Sequence, residues 1–327
     1  MVDCLRRGAL ASSAVLARSA ALVAFVSLAG VVGGCAADPF RSPAREDLPA
    51  SIELSGTPFF PQAEYQCGPA ALATVLAESG VAVHPDELIS KVYLPDRRGS
   101  LQPELLAATR NYDRIPYVIP ADFAALLAEV ASGRPVLVLQ NLGVRLAPTW
   151  HYAVVIGYSR QRSEVILRSG TDNRRVTSAG VFARTWQRGG NWGIVALEPG
   201  ELPATEDRVG YLRALAAAET AGRGDLSEPS YAAAAARWPD SGMAWLGLGN
   251  SAYARDEPDA AERMYRRALQ AEPDNAAALN NLASTVAEQG RCDEARELLQ
   301  AALALPDLHS SMMDFLAQSR AEVDACK

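Results

Sequence analysis

A 34-residue period in the C-terminal third of the chain constrains its fold more than any other feature. The same kinds of apolar and small residues return one period later: Trp245, Leu248, Ala261, Tyr265 and Ala268 are followed by Leu279, Leu282, Ala295, Leu299 and Ala302. Each unit of such an array buries its apolar face against its neighbours, so the period predicts a stack of repeats. One period before Tyr265, Ala268 and Pro273 stand Tyr231, Ala234 and Pro239, which predicts a degenerate first repeat.

The repeat pattern resembles the tetratricopeptide family in its Trp245-x-x-Leu248-Gly249 start, its small residues and its closing Pro273. It departs from that family at Ala252, where a Tyr is usual. The resemblance implies an all-α domain over residues 208–327, with repeats at about 208–241, 242–275 and 276–309 and a capping helix from about Ser310. It also implies a protein partner, because such arrays commonly hold a peptide. The alternative is an irregular Ala-rich helical bundle.

The N-terminus has the layout of a targeting segment. Basic residues are followed by an apolar run from Ala20 to Val32 and by small residues before Cys35. The sequence Val32-Gly33-Gly34-Cys35 resembles the lipobox of bacterial lipoproteins, which implies removal of residues 1–34, acylation of Cys35 and a membrane anchor there. Ala36 rather than Asp after the cysteine favours the periplasmic side of the outer membrane. An uncleaved membrane anchor and an ordinary secretory signal remain as alternatives.

Residues 35–55 lack apolar periodicity and contain several prolines, so we expect a tether. A compact domain is expected over residues 56–200. Its first helix begins at Cys67 and stops near Gly80, and a second ends at Gly133. Strands are expected at 135–139, 152–158 and 165–168. A helix-rich half followed by a strand-rich half predicts an α+β domain.

Cys67 is the candidate nucleophile of this domain. A helix N-terminus offers partial positive charge and free backbone N–H groups, which stabilise a thiolate and an oxyanion. A base that works near neutral pH has to be a histidine, and the chain has three. His84 lies in a Val-His-Pro-Asp turn and His309 lies beyond the last repeat, which leaves His151 at the start of a predicted strand.

The pattern Gln62-x4-Cys67-Gly68-Pro69-Ala70, followed by His151-Tyr152-Ala153-Val154-Val155-Ile156-Gly157-Tyr158, resembles the bacteriocin-processing, double-glycine leader peptidases. These are papain-like cysteine proteases, and the similarity covers residues 58–198, including Trp186-x5-Trp192. The resemblance implies that Cys67 is the nucleophile, His151 the general base and acid, and Gln62 the oxyanion donor. It also implies a peptide or protein substrate.

The third catalytic residue departs from that family, which has Asp or Asn at this place. Here Ser169 takes the position, and Asp172 follows three residues later. A serine hydroxyl can accept a hydrogen bond from Nδ1–H of the histidine but adds no charge to stabilise an imidazolium. Three functions stay open: a peptidase, a catalytically inactive scaffold or adaptor, and an enzyme that transfers the acyl group to an amine.

The composition argues against other classes of function. The net charge of -7 disfavours a nucleic-acid partner. Cys67 and His151 have no companions at metal-ligand spacing, and no phosphate-binding loop is present, so no metal or cofactor is expected. Cys292 begins the second helix of the last repeat and Cys326 ends the capping helix. We predict a disulfide between them, in an oxidising compartment.

Overall fold

The computed structural model describes residues 39–41, 48–62 and 64–326. The chain divides into two compact units, Met1–Ser42 and Pro43–Lys327. The proposed signal segment at 1–34, the lipidation site Cys35 and part of the tether lie outside the described residues. In the first unit, Pro39–Arg41 forms a short 3₁₀ turn.

A sheet of seven strands organises residues 48–203, which we call the sheet domain. Its strands are β1 (Ser51–Glu53), β2 (Ile115–Val118), β3 (Val136–Asn141), β4 (Trp150–Ser159), β5 (Glu164–Ser169), β6 (Asp172–Ser178) and β7 (Gly193–Leu197). They run in the order β2-β7-β3-β4-β5-β6, every paired neighbour is antiparallel, and β1 adds to β4. Because β1 and β2 precede the long strands in sequence, strands also occur in the half expected to be helical.

Five helices accompany this sheet: α1 (Cys67–Glu78), α2 (Pro85–Val92), α3 (Gln102–Asn111), α4 (Phe123–Ala131) and α5 (Ala179–Arg188). The central one, α1, is apolar along most of its length, and its Leu72 and Leu76 are buried in one core cluster with Val154 and Ile156 of β4. Alternate residues of a strand share a face, so the face of β4 that carries Val154 and Ile156 is the one that packs against α1. His84 begins α2, where its ring accepts from the backbone N–H of Asp86 in a capping box.

Seven helices follow, as three pairs and a single capping helix, and form the repeat domain, residues 208–324. They are α6 (Arg208–Thr220), α7 (Gly224–Arg237), α8 (Gly242–Ala254), α9 (Pro258–Ala271), α10 (Ala276–Glu288), α11 (Cys292–Leu303) and the capping helix α12 (Ser310–Asp324). The α+β domain followed by an all-α domain is thus confirmed. No helix of the described chain is both long enough and apolar enough to cross a bilayer.

Small residues let the repeat helices approach each other closely. A Cβ placed on Gly249 of α8 would lie 2.3 Å from Cε1 of Tyr265 of α9, so only glycine leaves room for that ring. Ala261, Ala268, Ala295 and Ala302 are completely buried. The periodic residues of the sequence are therefore the contact residues of the helix stack.

The repeat domain packs directly on the edge strand β2. Tyr117 is completely buried; its hydroxyl lies 2.7 Å from Oγ1 of Thr205 and donates to Oδ2 of Asp207 at 3.1 Å. The Tyr117 ring also meets that of Tyr211 edge-on. These contacts join the sheet domain to the first helix of the repeat domain.

A buried carboxylate makes a second connection at the same junction. Glu129 of α4 has no solvent exposure; it accepts from Nε of Arg134 at 2.8 Å and from the backbone N–H of Ala204 at 2.9 Å. A buried charge is stable only when it is paired in this way. The segment between the domains is therefore fixed to the sheet domain at several points.

Cys292 and Cys326 form a disulfide with 5.6 Å between their Cα atoms. Cys326 lies two residues beyond the end of α12, so the bond ties the segment after the capping helix to the first turn of α11. The capping helix also buries Leu316 and Val323 in the core of the last repeats. Both covalent and apolar contacts thus hold the C-terminal helix in place.

Removal of this disulfide is expected to destabilise the repeat domain. The bridge spans 34 residues, and a loop of that length corresponds to about 3 to 4 kcal/mol in the chain-entropy model. Cys326→Ser should lower the free energy of unfolding by that amount, measured by urea denaturation followed by circular dichroism. Cys292→Ser is the matched control and should have the same effect, while an unchanged urea midpoint in both variants would contradict the prediction.

Candidate active site

Cys67 is the first residue of α1 and is half-buried. Burial raises the pKa of its thiol, and hydrogen bonds from the backbone of Tyr152, Gly68 and Cys67 itself act in the opposite direction. The preceding residue, Gln66, makes no side-chain cap, so its side chain does not occupy the N–H groups of the first turn. The backbone contact with Tyr152 puts the sulfur next to the residue that follows His151.

His151 lies in β4, opposite Gln140 of β3, and its ring reaches across to the next strand. Its Nε2 lies 2.9 Å from Oγ of Ser169, the last residue of β5. Ser169 is buried, so this contact is largely shielded from solvent. The expectation that the serine would meet Nδ1 is wrong, because its hydroxyl meets Nε2.

The charge environment of His151 favours the neutral ring. Burial and, to a smaller extent, the positive charge of Arg175 in β6 together lower the pKa of His151 to about 4. Among the described residues, no carboxylate counteracts this lowering of the pKa. Asp172, the other candidate for the third residue, is exposed, with its Oδ2 3.8 Å from Nη1 of Arg175. The structure thus brings Ser169 to His151 and leaves Asp172 at the surface.

Gln62, the candidate oxyanion donor, belongs to a segment that is tied to the far end of β5. Its backbone N–H donates to the carbonyl of Gly170 at 3.2 Å. The buried guanidinium of Arg168 holds the same segment, because Nη2 donates to the carbonyls of Ser55 at 3.0 Å and of Thr57 at 2.7 Å. Arg168 also donates through Nη1 to the carbonyl of Asn173 at 2.5 Å.

A small cavity of about 10 Å³ joins these residues, and Gln62, Cys67 and Ser169 all line it. Its volume is that of about one water molecule. A larger cavity, of about 410 Å³, lies between the C-terminal ends of α1 and α4, but its lining includes neither Cys67 nor His151. We assign the chemistry to the smaller cavity because it contains a nucleophile next to a histidine-bearing strand.

The sequence-based search did not identify Arg168 or Arg175. Arg168 had a detectable signal, since it is a charged residue in the otherwise apolar strand Glu164-Val165-Ile166-Leu167. Such a residue is buried only when its donors are satisfied, which here fixes the Gln62 segment. The sequence around Arg175 carries no such signal, because β6 is polar and exposed over most of its length. Within the described residues no cluster of side chains could hold a metal ion.

The buried imidazole of His151 should make stability depend on pH. Its ordinary pKa is 6.5 and its folded pKa is about 4, so the unfolded chain binds the proton first and stability is lost as pH falls through this interval. The loss attributable to His151 amounts to at most about 3 kcal/mol. His151→Asn should reduce the slope of the free energy of unfolding between about pH 6.5 and 4, measured by urea titration.

His84→Asn is the control for that experiment, since it removes a histidine whose side chain is 61% exposed. This variant should keep the slope of the wild-type protein. Equal slopes in the wild-type and His151→Asn proteins would contradict the assignment of a buried neutral imidazole.

Solved structures of two kinds are similar to the chain. A putative C39-like peptidase from Bacillus anthracis is 18% identical and covers 45% of this chain and 98% of its own, with a TM-score of 0.38. The peptidase domain of Streptococcus ComA is 22% identical, covering 43% and 98%, with a TM-score of 0.35. The Yersinia enterocolitica chaperone SycD, in complex with a YopD peptide, is 16% identical, covering 37% and 94%, with a TM-score of 0.34.

Two family models match successive parts of the chain, whereas no curated protein does. The model of the Peptidase_C39 like family covers residues 55–194, which include Cys67, His151 and Ser169. The tetratricopeptide repeat model matches twice, at residues 211–260 and 246–309. The two matches fall on the sheet domain and on the repeat domain. The chain therefore carries a Peptidase_C39-like domain followed by tetratricopeptide repeats.

Proposed function

We propose that the protein is a cysteine peptidase whose repeats bind a protein partner or substrate. One arrangement carries the proposal. Ser169 contacts Nε2 of His151. Tyr152, the residue after His151, makes a backbone hydrogen bond with the sulfur of Cys67. The nucleophile Cys67 and the orienting residue Ser169 line one cavity, and the base His151 precedes Tyr152, which also lines it. Thiol hydrolysis requires a nucleophile, a base and a group that orients the base.

The reaction begins when Cys67 attacks the carbonyl carbon of the substrate. The S–C bond forms as the thiol proton passes to Nδ1 of His151, and the carbonyl oxygen becomes an oxyanion. The amide of Gln62 and the backbone N–H of Cys67 stabilise that oxyanion. The C–N bond then breaks as His151 returns the proton to the leaving amine, and water hydrolyses the thioester.

The ground state of this pair is uncharged. The pKa of Cys67 is raised and that of His151 is lowered to about 4, so at neutral pH both the thiol and the imidazole are uncharged. Ser169 fixes the orientation of the ring without supplying a negative charge. We therefore infer that His151 acts as a base on a neutral thiol, instead of standing beside a preformed thiolate.

The same observations support a second candidate, a catalytically inactive domain that acts with the repeats as a scaffold or adaptor. The carboxylate that would stabilise an imidazolium is absent from the Ser169 position, and burial disfavours the charged forms of both Cys67 and His151. Alkylation of Cys67 by iodoacetamide at neutral pH distinguishes the two functions, because its rate falls in His151→Ala only if His151 activates the thiol.

We also propose that Cys35 carries lipid and anchors the protein to the periplasmic side of the outer membrane. The lipobox-like sequence before Cys35 and the absence of Asp at the next position support this proposal. The Cys292–Cys326 disulfide supports an oxidising compartment. Mass spectrometry of the N-terminal peptide should find an acylated Cys35, with membrane association lost in Cys35→Ser. An unmodified peptide would rule out the lipid anchor.

Substitutions of Ser169 test the peptidase proposal. Ser169→Ala should lower kcat/KM by about 10- to 100-fold, because the imidazole loses the partner of its Nε2. Ser169→Asp should instead keep the activity and move the acid limb of the pH profile upward from about pH 4, since a carboxylate favours the protonated ring. The measurement is cleavage of a fluorogenic peptide with a Gly-Gly sequence before the scissile bond.

Cys67→Ala and Asp172→Asn are the controls for this series. The first should abolish cleavage, whereas the second should leave it unchanged because Asp172 is exposed beside Arg175. If cleavage were absent from the wild-type protein and Cys67 alkylated no faster than Cys67 of His151→Ala, the scaffold would be the correct function.

A further inference from the structure

A groove in the repeat domain has features that the peptidase chemistry does not use. It has a volume of about 340 Å³ and lies between α8, α10 and the capping helix α12. Asn250 and Tyr253 come from α8, Asn280 and Asn281 from α10, and Glu322 from α12. We call this space the capping groove.

Carboxylates without ion-pair partners gather at the capping groove. Glu322 lines it, and Glu288 accepts from the hydroxyl of the lining residue Tyr253 at 2.5 Å. This hydrogen bond, burial and the charges of Glu288, Glu322 and Asp256 together raise the pKa of Tyr253 to about 12. Within the described chain neither carboxylate has a lysine or arginine at salt-bridge distance. The groove is therefore negatively charged.

One hydrogen-bond acceptor of the groove also lacks a donor among the described residues. Asn280 is 2% exposed, and its Oδ1 is buried without a hydrogen-bond partner among the described residues. A buried acceptor without a donor destabilises the free protein, so a ligand that supplies a donor binds more tightly. Its neighbour Asn281 donates to Oδ1 of Asn250 at 2.9 Å, which places a row of amides across the groove.

The lining of the groove excludes one type of ligand and favours another. No lysine or arginine occurs among the described residues that line it, so nothing there can pair with a carboxylate of a ligand. Exposed aromatic rings are present instead: Tyr253 is 42% and Phe315 is 48% exposed. Aromatic rings next to carboxylates suit the aliphatic stem and charged head of a lysine or arginine side chain.

We propose that the capping groove binds an extended, basic segment of a partner polypeptide. Glu322 and Glu288 pair with its lysine or arginine side chains, Asn280 accepts from one of its N–H groups, and Phe315 packs on its apolar stems. The proposal deepens the partner-binding half of the proposed function and is independent of the chemistry at Cys67.

The disulfide makes this groove dependent on the redox state. The wall that contains Phe315 and Glu322 belongs to α12, which Cys326 ties to Cys292. Reduction releases the end of that helix and should widen the groove. Binding is therefore expected to weaken when the disulfide is broken.

Fluorescence anisotropy on the full chain tests the proposal. Two labelled dodecapeptides are compared: one alternates lysine with alanine, and the other alternates glutamate with alanine. The lysine peptide should bind, and its affinity should fall when NaCl is raised from about 50 to about 300 mM. Glu322→Gln should weaken binding about five-fold, and Asn280→Ala up to about ten-fold. Dithiothreitol should also weaken it.

Glu297→Gln is the matched control, because this exposed carboxylate lies on α11 outside the groove and the substitution changes the net charge equally. It should leave the affinity unchanged. Equal binding of both peptides, or equal effects of Glu322→Gln and Glu297→Gln, would overturn the proposal. Cys67→Ala should bind the lysine peptide normally, so an inactive peptidase would not count against the groove.

Discussion

The packing of α1 across β4 is the constraint on which the candidate site depends. Leu72 and Leu76 bury one face of the helix against Val154 and Ile156, and this burial fixes the axis of α1 relative to the strand. The N-terminus of α1 consequently lies beside the start of β4, where the backbone of Tyr152 contacts the sulfur of Cys67. Apolar residues far from the chemistry thus decide where the nucleophile lies.

A second set of interactions brings the remaining groups to that point. Arg168 uses three parts of its guanidinium to hold carbonyls of the segment before Gln62 and of the start of β6. The next residue, Ser169, holds His151. Two consecutive residues of β5 therefore organise the oxyanion segment and the base. The serine orients the imidazole through a neutral hydrogen bond, which leaves the Cys–His pair uncharged.

Much of the fold could be predicted because its signals are periodic or carried by special residues. The 34-residue period and the small residues at helix contacts predicted the repeats, and the Cys-Gly-Pro sequence predicted a helix start at Cys67. Strand β6 could not be predicted, since Asp172-Asn173-Arg174-Arg175 shows no apolar alternation. β1 is three residues long, too short for any pattern.

For the site, the sequence pointed to Cys67, His151, Gln62 and Ser169. It could not indicate which ring nitrogen meets Ser169, because that depends on how two strands are offset and twisted. The capping groove was not foreseen either. Asn280 and Glu322 are common on helix surfaces, and their significance arises only when α8, α10 and α12 come together.

The junction at Tyr117 and Glu129 has a consequence for how a bound polypeptide is handled. Buried hydrogen bonds and an ion pair replace a flexible linker between the sheet and the repeats. The distance between the repeats and the Cys67 thiol is then fixed. A substrate held by the repeats would need a set number of residues between its docking segment and the scissile bond. The architecture would act as a molecular ruler, selecting bonds by their distance along the substrate.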